Sequence, residues 1–143
     1  MPTKKPKRTK LRNKLDKIFS KFIRLRDSDR NWNIYCITCK KYIPRKQSHA
    51  CHFVSRWCIK LRREEKNVHA GCAGCNTYNQ QRHWWQYMLE MEKMFWTEVR
   101  DELRNEKYKV HKRPWISEME SMIEHYTIEV KKLEAKLSTN TTS

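Results

Sequence analysis

The sequence contains neither a long apolar run nor an internal repeat. Nothing in it approaches the ~18 consecutive apolar residues that a membrane-spanning helix needs, and no signal-peptide core follows Met1. We therefore expect a protein without membrane association, in a reducing cytoplasm. Paired cysteines in such a compartment more often bind a metal than form disulfides.

Apolar residues are also scarce overall. The chain has 143 residues, enough for one domain, of which 38% are hydrophobic and 34% are charged. So small a core leaves a fold marginally stable, and a structural metal is a common source of additional stability. The composition thus draws attention to the six cysteines.

Acidic residues are outnumbered two to one. The chain has 32 Lys and Arg against 16 Asp and Glu, which gives a net charge of +16. Residues 1–30 alone hold 12 basic side chains against 3 acidic ones. Such a field attracts polyanions, and with 6 Trp and 6 Tyr it predicts a DNA- or RNA-binding surface in the N-terminal and middle parts. A role of the basic tail in solubility, or at acidic membranes, is the alternative.

The residue pattern divides the chain into four segments. Residues 1–10 are predicted to be a disordered basic arm, and residues 11–31 an amphipathic helix with a Lys- and Arg-rich outer face. Residues 32–104 form a cysteine-rich core of short strands followed by a long helix. Residues 105–143 contain a last helix and a polar tail.

Two short strands, Ile34–Cys39 and Gln47–Val54, are predicted in the core before its long helix. The apolar stripe of that helix predicts that Trp85 packs in the core and that only Trp84 is available to contact a base. A glutamate interrupts the stripe, which allows a break near residues 92–95.

The last helix carries an apolar seam with heptad-like spacing. The seam consists of Ile116, Met119, Ile123, Tyr126, Val130, Leu133 and Leu137. It is predicted to pack on the preceding helix. Packing on a second copy of the chain, which would give a homodimer, is the alternative.

Two C-x-x-C pairs, one at Cys36 and Cys39 and one at Cys72 and Cys75, are separated by 32 residues. Two residues between cysteines let both sulfurs reach one ion at ~2.3 Å, and two such pairs complete a tetrahedron. Four thiolates leave no open coordination position, so the pattern predicts a structural Zn²⁺ rather than a catalytic one. The second pair begins a helix, as in a treble-clef finger. Cys58 is interpreted as a small buried apolar residue.

The segment between the pairs and just after them carries the residues suited to catalysis. His52 follows the second short strand, Asn67 precedes the second cysteine pair by five residues, and Asn76 lies at the start of the following helix. This order is typical of ββα-metal, or HNH, nucleases. The predicted fold is therefore α+β and mostly helical, with a zinc-stabilised treble-clef/ββα (HNH-like) core flanked by an N-terminal basic helix and C-terminal helices.

At these residues the chain resembles the NinG (Rap) recombination endonucleases of lambdoid phages. The resemblance rests on His52–Arg56, Arg63–Ala70 and Cys72–Asn76, and it covers residues 34–104 well. It implies a fold of the HNH-like treble-clef type. It also implies cutting of branched recombination intermediates, such as D-loops and four-way (Holliday) junctions, in the cytoplasm of a phage-infected bacterial host.

In HNH-like sites a His at a strand end accepts a proton from water, and a divalent metal stabilises the scissile phosphate and the leaving oxygen. We therefore expect His52 to act as general base and Asn67 to orient it through a backbone contact. Asn76 is expected to bind a catalytic Mg²⁺ or Mn²⁺. The other candidate ligands of that metal are Cys51, His69, Gln80, His83 and His49. Cys51 stands where HNH sites often have an acidic or His ligand, so the predicted ligand set is weak.

Basic side chains of the first helix and of the His52 segment are predicted to contact the DNA backbone without reading its sequence. They are Lys14, Lys17, Lys21, Arg24, Arg56, Lys60, Arg62 and Arg63. The leading hypothesis is a metal-dependent endonuclease that acts on branched DNA. The weak ligand set favours a non-catalytic zinc-finger module as an alternative. A sequence-specific HNH endonuclease is another, although 143 residues leave little room for a recognition domain.

Overall fold

The described part of the chain, residues 6–78 and 80–140 of a computed structural model, contains three long helices and two two-stranded sheets. The side chains of residues 78, 80–83 and 140 are not described. The elements are α1 Lys7–Arg26, β1 Asn33–Tyr35, β2 Tyr42–Pro44, β3 Ser48–His52, β4 Val68–Cys72, α2 Gln80–Glu106 and α3 Ile116–Asn140. A π-helical turn, Gly74–Tyr78, leads from β4 toward α2. The predicted α+β, mostly helical fold with a cysteine cluster flanked by helices is confirmed.

Helix α1 begins earlier than the sequence pattern predicts and ends earlier too. It starts at Lys7 rather than residue 11 and ends at Arg26 rather than residue 31. The predicted disordered arm lies outside the described residues as far as residue 5, and its last four residues are helical. The pattern missed this first turn because its side chains are mostly exposed and carry no apolar stripe.

Helix α3 packs along α1, and not on the preceding helix α2 as predicted. Its apolar seam is buried together with the α1 stripe, and the Phe19 and Tyr126 rings meet edge to face at 5.0 Å. The two helices run parallel, as shown by ion pairs at both ends: Lys7–Glu120 at 3.6 Å and Lys21–Glu134 at 2.8 Å. The two amphipathic stripes therefore cover each other, and the seam is not available to a second copy of the chain.

Two antiparallel hairpins lie between the helices. Strand β1 pairs with β2, and β3 pairs with β4 from Ser48 opposite Cys72 to His52 opposite Val68. The sequence pattern predicted β1 and β3 but not their partners. Successive residues on a strand face opposite sides, so Ala50 packs against the α1–α3 layer while Cys51 packs with α2. The β3–β4 hairpin is thus held from both faces.

The buried stripe of α2 differs from the predicted one. Trp84 is partly buried against the core, where it stacks on Phe53 at 5.8 Å, whereas Trp85 is 61% exposed. The prediction was wrong because two overlapping stripes are available, and the one that begins at Trp84 contains no charged residue. A kink at Trp96, with φ of 69°, follows directly after the predicted break at residues 92–95. None of the described helices has an apolar stretch long enough to cross a bilayer.

Candidate zinc centre and catalytic site

The four predicted zinc ligands come together in one cluster. Within the described residues, the sulfurs of Cys36, Cys39, Cys72 and Cys75 all lie within 4.8 Å of one another. Cys39 Sγ and Cys72 Sγ are 3.8 Å apart, and tetrahedral Zn–S bonds of ~2.3 Å separate two sulfurs by about 3.8 Å. All six cysteines are free of disulfides. The cluster therefore fits a structural Zn²⁺ with four thiolate ligands.

Two tight turns hold the cysteines in place. After β1 the chain turns at Lys40, whose N–H bonds to the Cys36 carbonyl at 3.0 Å and whose φ is 65°. After β4, the N–H of Cys75 donates to Cys72 Sγ at 3.4 Å. The N–H of Ile37 donates to a β4 carbonyl at 3.0 Å. The first turn is therefore tied directly to the strand that leads into the second.

The thiols of the cluster differ in how readily they ionise. Burial opposes ionisation of Cys36, but hydrogen bonds from the backbone of Cys39, Cys72 and Thr38 outweigh it and lower its pKa to about 7. Burial raises the pKa of Cys39 and Cys75, and the nearby Cys36 charge raises both further. Cys36 thus ionises more readily than Cys39 and Cys75, and a bound cation is needed to hold all four sulfurs as thiolates.

His52 is the last residue of β3, and its ring bonds to the loop that follows. Nε2 lies 2.8 Å from the carbonyl oxygen of Arg62. Because a carbonyl only accepts, Nε2 carries the proton and the neutral ring presents a lone pair at Nδ1. Burial lowers the pKa of His52, and the hydrogen bond to Arg62 only partly opposes this shift. The ring is therefore neutral at pH 7 and able to accept a proton at Nδ1.

Asn67 fastens the loop that carries Arg62. Its side chain is fully buried (0% exposed). The Oδ1 atom accepts from the Val54 N–H at 2.7 Å, and Nδ2 donates to the carbonyls of Val54 at 2.9 Å and Leu61 at 3.0 Å. Leu61 directly precedes the residue whose carbonyl meets His52. The contact between Asn67 and His52 thus runs through the loop backbone.

Replacing Asn67 with alanine should destabilise the fold by about 3 kcal/mol, because three buried hydrogen bonds worth ~1 kcal/mol each are lost. Urea denaturation of the purified variant measures this loss. Asn76→Ala is the matched control, since it removes a half-buried amide with one side-chain partner and should cost less than ~1 kcal/mol. Equal losses in the two variants would contradict the role given to Asn67.

His52 borders a cavity on either side of the β3–β4 hairpin. The cavity on the α2 side has a volume of about 390 Å³, and Asn76 and Lys107 also line it. The cavity on the α1 side, of about 150 Å³, is lined in addition by Asp16 and Arg56. The His52 ring itself bonds to Arg62, a residue of the α1-side cavity.

The candidate ligands of a catalytic metal are brought together only in part. His49 Nδ1 and Asn76 Nδ2 are 3.1 Å apart. Burial raises the pKa of the Cys51 thiol to about 12, so it stays neutral and binds metal poorly. The side chains of Gln80 and His83 lie outside the described ones. Among the described residues, the four-cysteine cluster is the only group of three or more His, Cys, Asp or Glu side chains that could hold a metal.

His69 belongs to a buried hydrogen-bond network. Its Nδ1 atom lies 3.1 Å from the Tyr87 hydroxyl, which itself donates to the Cys51 carbonyl at 2.8 Å. His69 Nδ1 is therefore the donor of the first of these bonds. Burial lowers the pKa of His69 to about 4, so its ring is neutral. The network connects β4, α2 and β3 beside the candidate site.

The basic residues predicted to contact DNA fall into two sets. Lys14, Lys17 and Arg56 are exposed and form no ion pair within the described residues. The other five have partners: Lys21 with Glu134, Lys60 with Glu106, Arg62 and Arg63 with Asp16, and Arg24 with the Ser20 carbonyl. Less charge is available to a polyanion at these positions than the residue count indicates.

Asp16 is a site residue that the sequence reasoning missed. Its carboxylate binds the Arg62 guanidinium at 2.6–3.2 Å and lies 2.8 Å from Arg63 Nη2. It therefore connects α1 to the loop whose carbonyl holds His52. The sequence contained one usable signal, because Asp16 is the only acidic residue in an otherwise basic helix.

Comparison with known proteins identifies the family. A family model described as the bacteriophage lambda NinG protein matches residues 3–136 of the 143. Comparisons with curated proteins and with solved structures returned no match. The matched range includes both cysteine pairs, the β3–β4 hairpin, all of α1 and α2 and most of α3. The chain therefore belongs to the NinG family.

Proposed function

We propose that this chain is a metal-dependent DNA endonuclease that cuts branched recombination intermediates, D-loops and Holliday junctions, in the cytoplasm of a phage-infected bacterium. The observation that carries the proposal is the state of His52. Its imidazole is neutral, its Nε2 proton is fixed on the Arg62 carbonyl, and Nδ1 is left to accept a proton. This is the state that a general base needs.

In the proposed reaction His52 Nδ1 takes a proton from a water molecule while that water attacks the phosphorus. The bond from phosphorus to the leaving oxygen breaks, the leaving oxygen takes up a proton from solvent water, and His52 returns its proton to solvent. Arg56, which lines the α1-side cavity with His52, supplies a positive charge for the phosphate. Asn67 and Asp16 hold the loop that fixes the orientation of the ring.

A divalent metal, when bound, neutralises charge on the scissile phosphate and the leaving oxygen. The residues that would hold it are His49 and Asn76, through an imidazole nitrogen and an amide oxygen. Imidazole donors favour transition metals, whereas Mg²⁺ prefers sites made of oxygen ligands. Mn²⁺ should therefore support faster cleavage than Mg²⁺.

Branched substrates are proposed on the strength of the family and of the charge distribution. The exposed lysines of α1 and the exposed Arg56 lie on separate elements, so they can contact backbones of more than one DNA arm. Contacts of this kind depend on phosphate geometry and not on base sequence. They suit an enzyme that recognises a junction by its shape.

One observation favours a second candidate function, a zinc-stabilised DNA-binding module without catalysis. No carboxylate joins His49 and Asn76, so the described ligand set is neutral. Such a module would keep the zinc cluster and the basic surface. It would bind branched DNA without cutting it.

A cleavage panel separates these two functions. With Mn²⁺, the purified chain should cut labelled four-way, flap and D-loop substrates and leave matched linear duplex largely intact. Binding to the same substrates should weaken steeply as the salt concentration rises. The logarithm of the association constant should fall by ~0.9 per neutralised phosphate for each unit of log[salt]. Tight binding without cleavage of any branched substrate would favour the binding module.

A further inference from the structure

A cavity rich in arginine lies between the N-terminal part of α1, the β3–β4 loop and the connector before α3. Its volume is about 340 Å³, within the ~300–1,000 Å³ range of small-molecule sites. Six arginines line it, and the described lining includes no acidic residue. They are Arg8, Arg12, Arg56, Arg62, Arg63 and Arg113. A cavity of this size and charge fits an anion.

Arg63 lines this cavity but is already held by Asp16. Its side chain is only 7% exposed, and its Nη2 lies 2.8 Å from Asp16 Oδ1. Its Nε is buried below the cavity surface, without a hydrogen-bond partner among the described residues. The guanidinium groups open to a phosphate are those of the exposed Arg12, Arg56 and Arg113.

Trp57 gives the cavity an aromatic wall. Its side chain is 82% exposed although it sits on a loop that Asn67 holds in place. An exposed indole next to several guanidinium groups is suited to stacking on a base. Because the bases of a duplex are already stacked on each other, a base must be unpaired to use this surface fully.

The cavity is also connected to the candidate catalytic residue. Arg56 and Arg62 line both the arginine cavity and the smaller α1-side cavity that His52 borders. The two cavities therefore adjoin at two basic side chains.

We infer that the arginine cavity binds one unpaired nucleotide of a branched DNA, with its phosphate on the arginines and its base on Trp57. The inference rests on the proposed function in one respect, that the substrate is branched DNA. It adds a specific subsite, which would make the chain prefer junctions with an unpaired arm over fully paired DNA.

The charge component is tested by a matched pair of variants. Arg113 lines the cavity and its neighbour Lys112 does not, while both are exposed. Arg113→Gln and Lys112→Gln therefore change net charge equally. Dissociation constants for a forked DNA with a single-stranded arm and for the matched blunt duplex are measured by fluorescence anisotropy, without added divalent metal. Arg113→Gln should weaken fork binding several-fold more than Lys112→Gln does.

The stacking component is tested at Trp57 in the same assay. Trp57→Ala should reduce the preference for fork over duplex by roughly 5- to 100-fold, whereas Trp57→Phe should keep most of it. Trp96→Ala, which removes an exposed indole on α2 outside the cavity, should leave the preference unchanged. Since Trp57 is largely exposed, its replacement leaves the fold intact, which circular dichroism checks.

The outcomes distinguish this inference from the proposed function. An unchanged fork preference in Trp57→Ala overturns the subsite, even if the wild type cuts junctions. Equal weakening of fork and duplex binding by Arg113→Gln also overturns it, because the arginines would then hold paired backbone only. A lost preference in Trp57→Ala supports the subsite even if the wild type cuts nothing, in which case the nuclease proposal fails alone. A wild type that binds neither DNA overturns both.

Discussion

Replacing Cys36 with serine should remove the zinc and unfold both hairpins. Zinc binding by structural sites contributes ~10–16 kcal/mol at pH 7, as much as or more than the ~5–15 kcal/mol by which a whole domain is stable. Here the four sulfurs join the turn after β1 to the start of the helical segment after β4, beside backbone bonds such as that from Ile37 to β4. Without the ion, that region would depend on a small apolar core. Atomic emission and circular dichroism should show loss of metal and of cooperative melting together.

Cys58→Ser provides the control for this variant. Cys58 lies in the β3–β4 loop, half-buried, with its thiol 3.8 Å from the Glu106 carbonyl and outside the four-sulfur cluster. The variant should keep about one zinc per chain and melt within a few degrees of the wild type. A folded wild type without any zinc would contradict the assignment of the cluster.

Replacing His52 with alanine should lower the single-turnover rate of DNA cleavage by about 10²- to 10⁴-fold, the usual contribution of a general base. The wild-type rate should rise with pH to a plateau, and the midpoint of the rise should lie below pH 6.5. This direction follows because the base must be deprotonated, and burial lowers the pKa of His52 below its ordinary value of ~6.5. The acidic limb of the pH–rate profile should disappear in any residual activity of the variant.

His125→Ala is the matched control for His52→Ala. His125 is exposed on α3, where its ring contacts Tyr126. Its removal should leave both the rate and the pH profile as in the wild type. A similar loss of cleavage in the two variants would point to a general effect on the fold and not to a specific role of His52.

The local parts of this structure could be predicted from the sequence. The two C-x-x-C pairs specify the sulfur cluster because the spacing within each pair fixes its turn, and the chain needed only to bring two such turns together. The stripe Leu15, Phe22 and Leu25 likewise marks the buried face of α1. In both cases the signal lies within a few residues of the structure that it produces.

Contacts between distant segments could not be predicted in the same way. Nothing near α3 indicates that its seam meets α1, since either of two amphipathic helices could cover it. Whether Trp84 or Trp85 is buried depended on which of two apolar stripes of α2, offset by one residue, contains no charged side chain. Strands β2 and β4 were missed because they are only three and five residues long and show little alternation of apolar and polar residues.

The candidate site shows the same division. His52, Asn67 and Asn76 were found from their order along the chain, and the structure places His52 and Asn67 at opposite ends of one loop. Asp16 is connected to His52 through Arg62, whose carbonyl bonds to the His52 ring. Asp16 and Arg62 are 46 residues apart, and the only sign of their contact in the sequence is a lone acidic residue in α1. The catalytic roles themselves are still predictions, because they depend on chemistry that geometry alone does not measure.

Binding and cleavage of one labelled four-way junction, measured side by side for the zinc-loaded wild type and His52→Ala with Mn²⁺, test the central claim most directly. We predict that both proteins bind the junction with similar dissociation constants and contain about one zinc per chain, and that only the wild type cuts it. Equal cutting by the two proteins would remove His52 from the mechanism. Binding by the wild type without any cutting would contradict the assignment of this NinG-family chain as an endonuclease.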